Sequence, residues 1–204
     1  MSTTLGKSTG RRPAGRWRTV DLVTSAVLGV AFGVVFWGWH FAYSALDPLF
    51  ALFPPVAGLV SGVWLLPAVV GALVVRRPGA ALLTELVAAS VEALLGTQWS
   101  AGVLVSGAVQ GLGVEIAVAL FLWRRWTLAV AVLAGAVAAA AESVYEWSAY
   151  WAAWSWDWKL VYAGFFVVSG VLVAGLGGWA LVRALARAGA LSAFAAGHEH
   201  RTRG

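Results

Sequence analysis

Between Val20 and Leu185 the chain offers a succession of apolar stretches separated by short polar connections. Several are long enough to cross a hydrocarbon core, which takes about 20 helical residues. Inside lipid every backbone polar group needs a partner, and runs of this length supply one to themselves as helices. A membrane barrel would instead alternate polar and apolar residues in strands of about ten, and no such alternation is present. Composition agrees: 61% of the 204 residues are hydrophobic and 11% charged, against about a quarter charged in a soluble domain.

The runs predict an all-α integral membrane bundle of six transmembrane helices, near 20–43, 55–75, 80–95, 101–123, 128–150 and 160–185. Basic residues collect in the N-terminal arm, at Arg76 and Arg77, at Arg124 and Arg125, and in the tail at Arg183, Arg187, Arg201 and Arg203. These lie on alternate connections, so the positive-inside rule places the N- and C-termini in the cytoplasm. The first run exceeds the core of a signal peptide and is read as an uncleaved helix. The expected organisation is a disordered basic arm over 1–18, a transmembrane domain over 19–187 and a disordered tail over 188–204. Pro54, Pro55 and Pro67 make the second span irregular, because proline removes a backbone donor and bends a helix.

Several chemistries are excluded. There is no cysteine, so no disulfide, thiolate metal site or thiol nucleophile, and two of the three histidines sit in the tail. No Gly-x-x-x-x-Gly-Lys-[Ser/Thr] loop is present to cradle a nucleotide. The chain is read as non-catalytic, with no cofactor and no metal. Its net charge of +5 follows from membrane topology and the lipid bilayer rather than from nucleic acid.

Carboxylates inside apolar spans stand out, since a central charge costs about 2.5–3.5 kcal/mol on insertion scales. Glu85 and Glu92 lie seven apart on the third span, Gln110 and Glu115 share the fourth, and Glu142 and Glu146 lie four apart on the fifth. Both glutamate pairs fall on one helix face each. Depth along the spans leaves Glu92, Glu142 and Glu146 best placed to meet an external solute. Either these acids hydrogen-bond neighbouring helices or they line a ligand site or proton path. With no basic group among them, the solute they suit is small, cationic or amine-bearing, and heteroaromatic.

Aromatics crowd the same level: Trp37, Trp39, His40 and Tyr43 end the first span, Trp99 begins the fourth, and Tyr145, Trp147, Tyr150, Trp151, Trp154, Trp156 and Trp158 surround the last outer connection. Thirteen tryptophans serve either as an interfacial belt or as flat walls for an aromatic or cationic ligand. Ser25, Gly29 and Gly33 form a stripe of small residues, which packs the chain's own helices or docks another membrane protein.

The segments Arg16-Trp-Arg-Thr-Val-Asp21, Gly33-Val-Val-Phe-Trp-Gly-Trp39, Gly62-Val-Trp-Leu-Leu-Pro67, Arg77-Pro-Gly-Ala-Ala-Leu-Leu-Thr-Glu-Leu86, Glu92-Ala-Leu-Leu-Gly96 and Gln110-Gly-Leu-Gly-Val-Glu115 resemble the YkoE-type substrate-binding (S) subunits of energy-coupling factor transporters. The resemblance spans about residues 16–185. It implies a six-helix subunit in the plasma membrane that captures thiamine or its hydroxymethylpyrimidine precursor from outside. It also implies a transmembrane coupling subunit and two cytoplasmic ATPase subunits as partners. On this reading Glu92 and Glu142 or Glu146 recognise the ligand's amine and ring nitrogens. Trp39, Trp99 and Trp147 stack on the ligand, Gln98 closes the mouth with His40 nearby, and Ser25, Gly29 and Gly33 dock the coupling subunit. The competing reading is a solitary proton-coupled carrier of small cationic heteroaromatic compounds.

Overall fold

The computed structural model describes residues 17–197. The first long helix, α1 (Thr19–Ser44), starts where Asp21 reaches back to the residue before the helix: the Arg18 backbone N–H donates to Asp21 Oδ2 at 3.0 Å while the Arg18 guanidinium donates to Asp21 Oδ1 at 2.7 Å. An acid in the first turn also complements the positive end of the helix dipole. Asp21 is buried and further receives Arg77 Nε at 3.4 Å, which ties this end of α1 to the connection after the second span. A short exposed helix, α2 (Asp47–Leu52), follows; the sequence reading did not anticipate it.

The second span divides in two. Pro54–Leu65 is a 3-10 helix, and α3 (Leu66–Val75) continues it as an α-helix with Pro67 in its first turn. A 3-10 run of twelve residues is unusual, and the proline expectation of a bend understates it. Small residues permit it here. Gly58 and Gly62 bring the 3-10 backbone so close to the carbonyls of Tyr162 and Ser169 that a Cβ would sit 2.6 and 2.5 Å from them. All of Pro67–Val75 is buried, as expected for a helix that is apolar on every side. The second span is therefore the hub of the bundle.

Around it stand α4 (Ala80–Leu95), α5 (Gly102–Ala119), α6 (Leu128–Ala149) and a last long helix. That helix runs from α7 (Trp156–Ser169) through a π-helical segment (Gly170–Gly177) into α8 (Gly178–Arg187). The π segment lies where Gly170 and Gly135 of α6 meet backbone to backbone, and wide turns of this kind absorb a local misfit in the ladder. Among the described residues five helical stretches are long and apolar enough to cross a membrane: Thr19–Ser44, Pro54–Val75, Gly102–Ala119, Leu128–Ala149 and Trp156–Arg187. At 16 residues, α4 is about 24 Å long, short of a core about 30 Å thick.

Contacts between connections identify the two ends. Trp17 Nε1 donates to the Pro78 carbonyl, and the Arg76 guanidinium lies 5.6 Å from the Trp126 ring centre, at an arginine-bearing end. Tyr43, Trp99 and Tyr150 meet at the opposite, tryptophan-rich end, with Trp99 4.9 Å from Tyr150 and 6.1 Å from Tyr43.

Two expectations meet the structure differently. The stripe of Ser25, Gly29 and Gly33 is buried against α4: a Cβ on Gly29 would lie 2.6 Å from Val87 Cβ, and one on Gly33 2.5 Å from Val91 Cβ. Close packing within the chain thus engages all three, the first of the two uses such a stripe allows. The tail expected to be disordered from 188 includes turns and a short helical turn at 195–197, with Leu191 and Phe194 buried. Residues 1–16 and 198–204, including most of the basic arm, lie outside the described residues.

Candidate substrate-binding site

A cavity opens among these helices near the tryptophan-rich end, with about 530 Å³ of space including the part continuous with solvent. Its mixed apolar and polar lining fits a small-molecule site. Phe36 and Tyr43 come from α1, Ser61 and Trp64 from the 3-10 segment, and Glu85, Ala89 and Glu92 from α4. Val103, Ser106, Gly107 and Gln110 come from α5, Glu146 from α6, and Tyr162 and Phe166 from α7. Trp99, Tyr150 and Trp151 complete it from the connections. No lysine, arginine or histidine is among these lining residues.

The deep wall is built on the break between the 3-10 segment and α3. A regular α-helix would pair the Ala68 N–H with the Trp64 carbonyl. Here the Ala68 N–H donates to Glu85 Oε2 at 2.8 Å. The Gln110 amide, oriented with nitrogen toward acceptors, donates to the Trp64 carbonyl at 2.8 Å and to Glu85 Oε1 at 3.3 Å. Glu85 and Gln110 thus satisfy the groups that the irregular backbone leaves open, the condition under which such backbone survives at membrane depth. Glu115 does similar work elsewhere: it accepts from the Ala81 N–H at the start of α4 at 2.9 Å and from Trp123 Nε1 at 3.0 Å.

The other two lining acids are held less fully. Glu92 Oε1 accepts from Trp64 Nε1 at 3.4 Å and from Thr97 Oγ1 at 3.3 Å. Glu146 accepts from the Tyr162 hydroxyl. Glu142, one turn before Glu146, is wholly buried behind Ser106, whose hydroxyl donates to its Oε1, and its Oε2 has no partner. Rings close the space around these acids, with Tyr43 edge-on to Trp64 at 5.3 Å and Trp151 6.0 Å from Tyr162.

Of the residues singled out from sequence, the structure brings Glu92, Glu146 and Trp99 into the lining and sets Glu142 just behind it. Trp39, His40, Gln98 and Trp147 do not line the cavity. Trp147 donates its indole N–H to the Lys159 carbonyl at 3.2 Å and packs edge-on to Trp156, while Gln98 is exposed. Sequence reasoning missed Trp64, Ser106 and Tyr162 as lining residues. Trp64 carried a usable signal, since it adjoins Val63, whose carbonyl loses its α-helical donor at Pro67. Among the described residues no cluster of three histidine, aspartate or glutamate side chains is arranged to hold a metal ion.

Comparison with known proteins places this architecture. Residues 20–141 match the family of the permease component of ABC-type cobalt transport systems. The putative HMP/thiamine permease protein YkoE of Bacillus subtilis (strain 168) is 36% identical over 186 residues, covering 90% of this chain and 92% of that protein. A crystal structure of an S-component of an ECF transporter superposes with a TM-score of 0.86 at 33% identity, covering 92% of this chain and 95% of that one. With 36% identity over 186 residues, and the same fold, this multi-pass membrane protein belongs to the YkoE family of S components of energy-coupling factor transporters.

Proposed function

We propose that the chain captures thiamine or its hydroxymethylpyrimidine precursor on the outer side of the plasma membrane and delivers it inward. Residues 19–187 form the transporter domain, with six membrane crossings, α4 the shortest, and both termini in the cytoplasm. Transport is driven by ATP hydrolysis in two partner subunits acting through a transmembrane coupling subunit. The observation that carries the reading is the cavity: three carboxyl groups, Glu85, Glu92 and Glu146, among aromatic rings, with no cationic residue in the lining. An aminopyrimidine offers N–H donors to such acceptors, and the thiazolium of thiamine adds a positive charge that stacks on aromatic faces. The name of the Bacillus subtilis relative agrees with this ligand class. Aromatic walls and the lack of a three-ligand cluster among the described residues favour an organic cation over a metal ion.

Within the site, Glu92 and Glu146 contact the ligand's nitrogens, and Trp64 and Trp99 flank its rings. Glu85 and Gln110 fix the floor. Uptake of labelled thiamine by cells expressing the chain with its partners is expected to stop when the ATPases are inactivated and to survive collapse of the proton gradient. The opposite pattern identifies a solitary proton-coupled carrier. The absence of native cysteine makes the topology directly testable. Gln98→Cys should react with a membrane-impermeant maleimide in intact cells, and Arg125→Cys should react only after lysis. Reversed labelling contradicts the orientation.

A further inference from the structure

The connection between α4 and α5 turns around one hydroxyl. It leaves α4 at Gly96, where φ is 95°, and approaches α5 through Ser100, which adopts a left-handed φ of 53°. The Ser100 N–H donates to the Thr97 carbonyl at 3.3 Å, which closes a turn over 97–100. Within that turn the Trp99 N–H donates to Thr97 Oγ1 at 3.4 Å, a bond by which a threonine hydroxyl fixes the backbone two residues on. The same hydroxyl lies 3.3 Å from Glu92 Oε1, and this contact joins the two side chains whichever of them carries the proton. Trp64 Nε1, a group that can only donate, approaches that Glu92 oxygen at 3.4 Å. Glu92 Oε1 is thus held twice, while Oε2 makes no hydrogen bond among the described residues. Thr97 does not itself line the cavity, but both of its partners do: Glu92, and Trp99, whose ring stands 4.9 Å from Tyr150 and 6.1 Å from Tyr43.

We propose that Thr97 is a positioning residue for ligand binding, whose hydroxyl joins Glu92 to the turn that carries Trp99 and so holds the acid and the ring in one fixed relation. A threonine that served its own turn alone would need only the Trp99 contact. The contact with Glu92 is additional and reaches back five residues, onto the last turn of α4. A free glutamate side chain is rich in rotamers, and fixing one costs free energy on binding. A carboxyl already pinned through one oxygen presents the other in a defined direction, and preorganisation of this kind raises affinity. Movement of the Trp99 backbone away from the cavity breaks a contact that also holds the acid. Release of a ligand flanked by Trp99 and held by Glu92 is therefore the step that Thr97 opposes. The inference rests on the reading that these two residues contact the ligand.

The test measures thiamine affinity and the rates of binding and release with the purified full chain, by titration and by stopped-flow indole fluorescence. Thr97→Val keeps the shape of the side chain and removes the hydroxyl. It is expected to weaken thiamine by about two- to tenfold, the range for one neutral hydrogen bond, chiefly through faster dissociation. Thr97→Ala, which makes no demand on space, is carried in parallel and should behave as Thr97→Val does. Thr97→Ser keeps the hydroxyl and should restore the slow dissociation. In Glu92→Ala no carboxyl remains to be held, so the further loss on adding Thr97→Val should shrink below about twofold. A hydroxyl that served only its own turn gives the same factor with and without Glu92. That equality, or wild-type affinity and release in Thr97→Val and Thr97→Ala, overturns this inference and leaves the thiamine reading intact. Failure of the wild type to bind thiamine overturns both.

Discussion

Glu92→Gln and Glu146→Gln are each expected to weaken thiamine binding by about ten- to a hundredfold. A hydrogen bond to a charged partner contributes about 1.5–3 kcal/mol, and each 1.4 kcal/mol is a factor of ten in affinity. Both acids line the cavity, and neither is engaged in holding backbone. Glutamine keeps the shape and one acceptor oxygen but removes the charge that opposes the thiazolium. Neutral hydroxymethylpyrimidine should therefore lose less affinity than thiamine in the same variants. Glu115→Gln serves as the control, because Glu115 holds Ala81 and Trp123 rather than the cavity. Its thiamine affinity should match that of the wild type. Normal binding in both Glu92→Gln and Glu146→Gln would make the cavity acids structural.

Glu85→Ala is expected to damage the fold rather than the affinity alone. The substitution leaves the Ala68 N–H without its acceptor at the junction of the 3-10 segment and α3, and takes one acceptor from Gln110. A buried donor left unmade costs about 1–3 kcal/mol, with no water at that depth to replace the partner. The thermal midpoint of the detergent-solubilised protein, followed by size-exclusion chromatography after heating, should fall clearly and do so without ligand. Glu85→Gln keeps an oxygen for Ala68 but sets an amide nitrogen against that of Gln110, so it should fall between alanine and wild type. An unchanged midpoint in Glu85→Ala would mean that the break does not depend on this contact.

The contrast between these two groups of acids marks what sequence alone could reach. Glutamates in apolar runs are conspicuous whatever the packing, so Glu85, Glu92, Glu142 and Glu146 stood out at once. Which of them faces ligand and which repairs backbone depends on a helix break that no periodicity reveals. Helix boundaries were similarly legible where punctuation was strong: the third span, expected over 80–95, is observed as Ala80–Leu95 between Gly79 and Gly96, both of which adopt positive φ. The 3-10 character of Pro54–Leu65 was not legible, because it arises from the approach of Tyr162 and Ser169 to Gly58 and Gly62 across more than a hundred residues of chain.

The aromatics divide the same way. Tryptophans near the water boundary are chemically alike in sequence, and only helix rotation decides that Trp64 and Trp99 enter the cavity while Trp39 and Trp147 do not. The small stripe on α1 offered two partners of equal chemistry, and packing assigned it to Val87 and Val91 of α4. Small residues permit close approach by any surface that fits. The identity of that surface is a property of the whole bundle.

The most direct test is equilibrium titration of the purified chain, without partners, with thiamine, hydroxymethylpyrimidine and riboflavin while indole fluorescence is recorded. Trp64 and Trp99 line the cavity, so occupancy should change the emission. The account predicts saturable binding of thiamine or hydroxymethylpyrimidine at micromolar concentration or below, one molecule per chain, and no comparable response to riboflavin. Absence of binding by both thiamine-related compounds, or binding that is indifferent to Glu92→Gln and Glu146→Gln together, would contradict it.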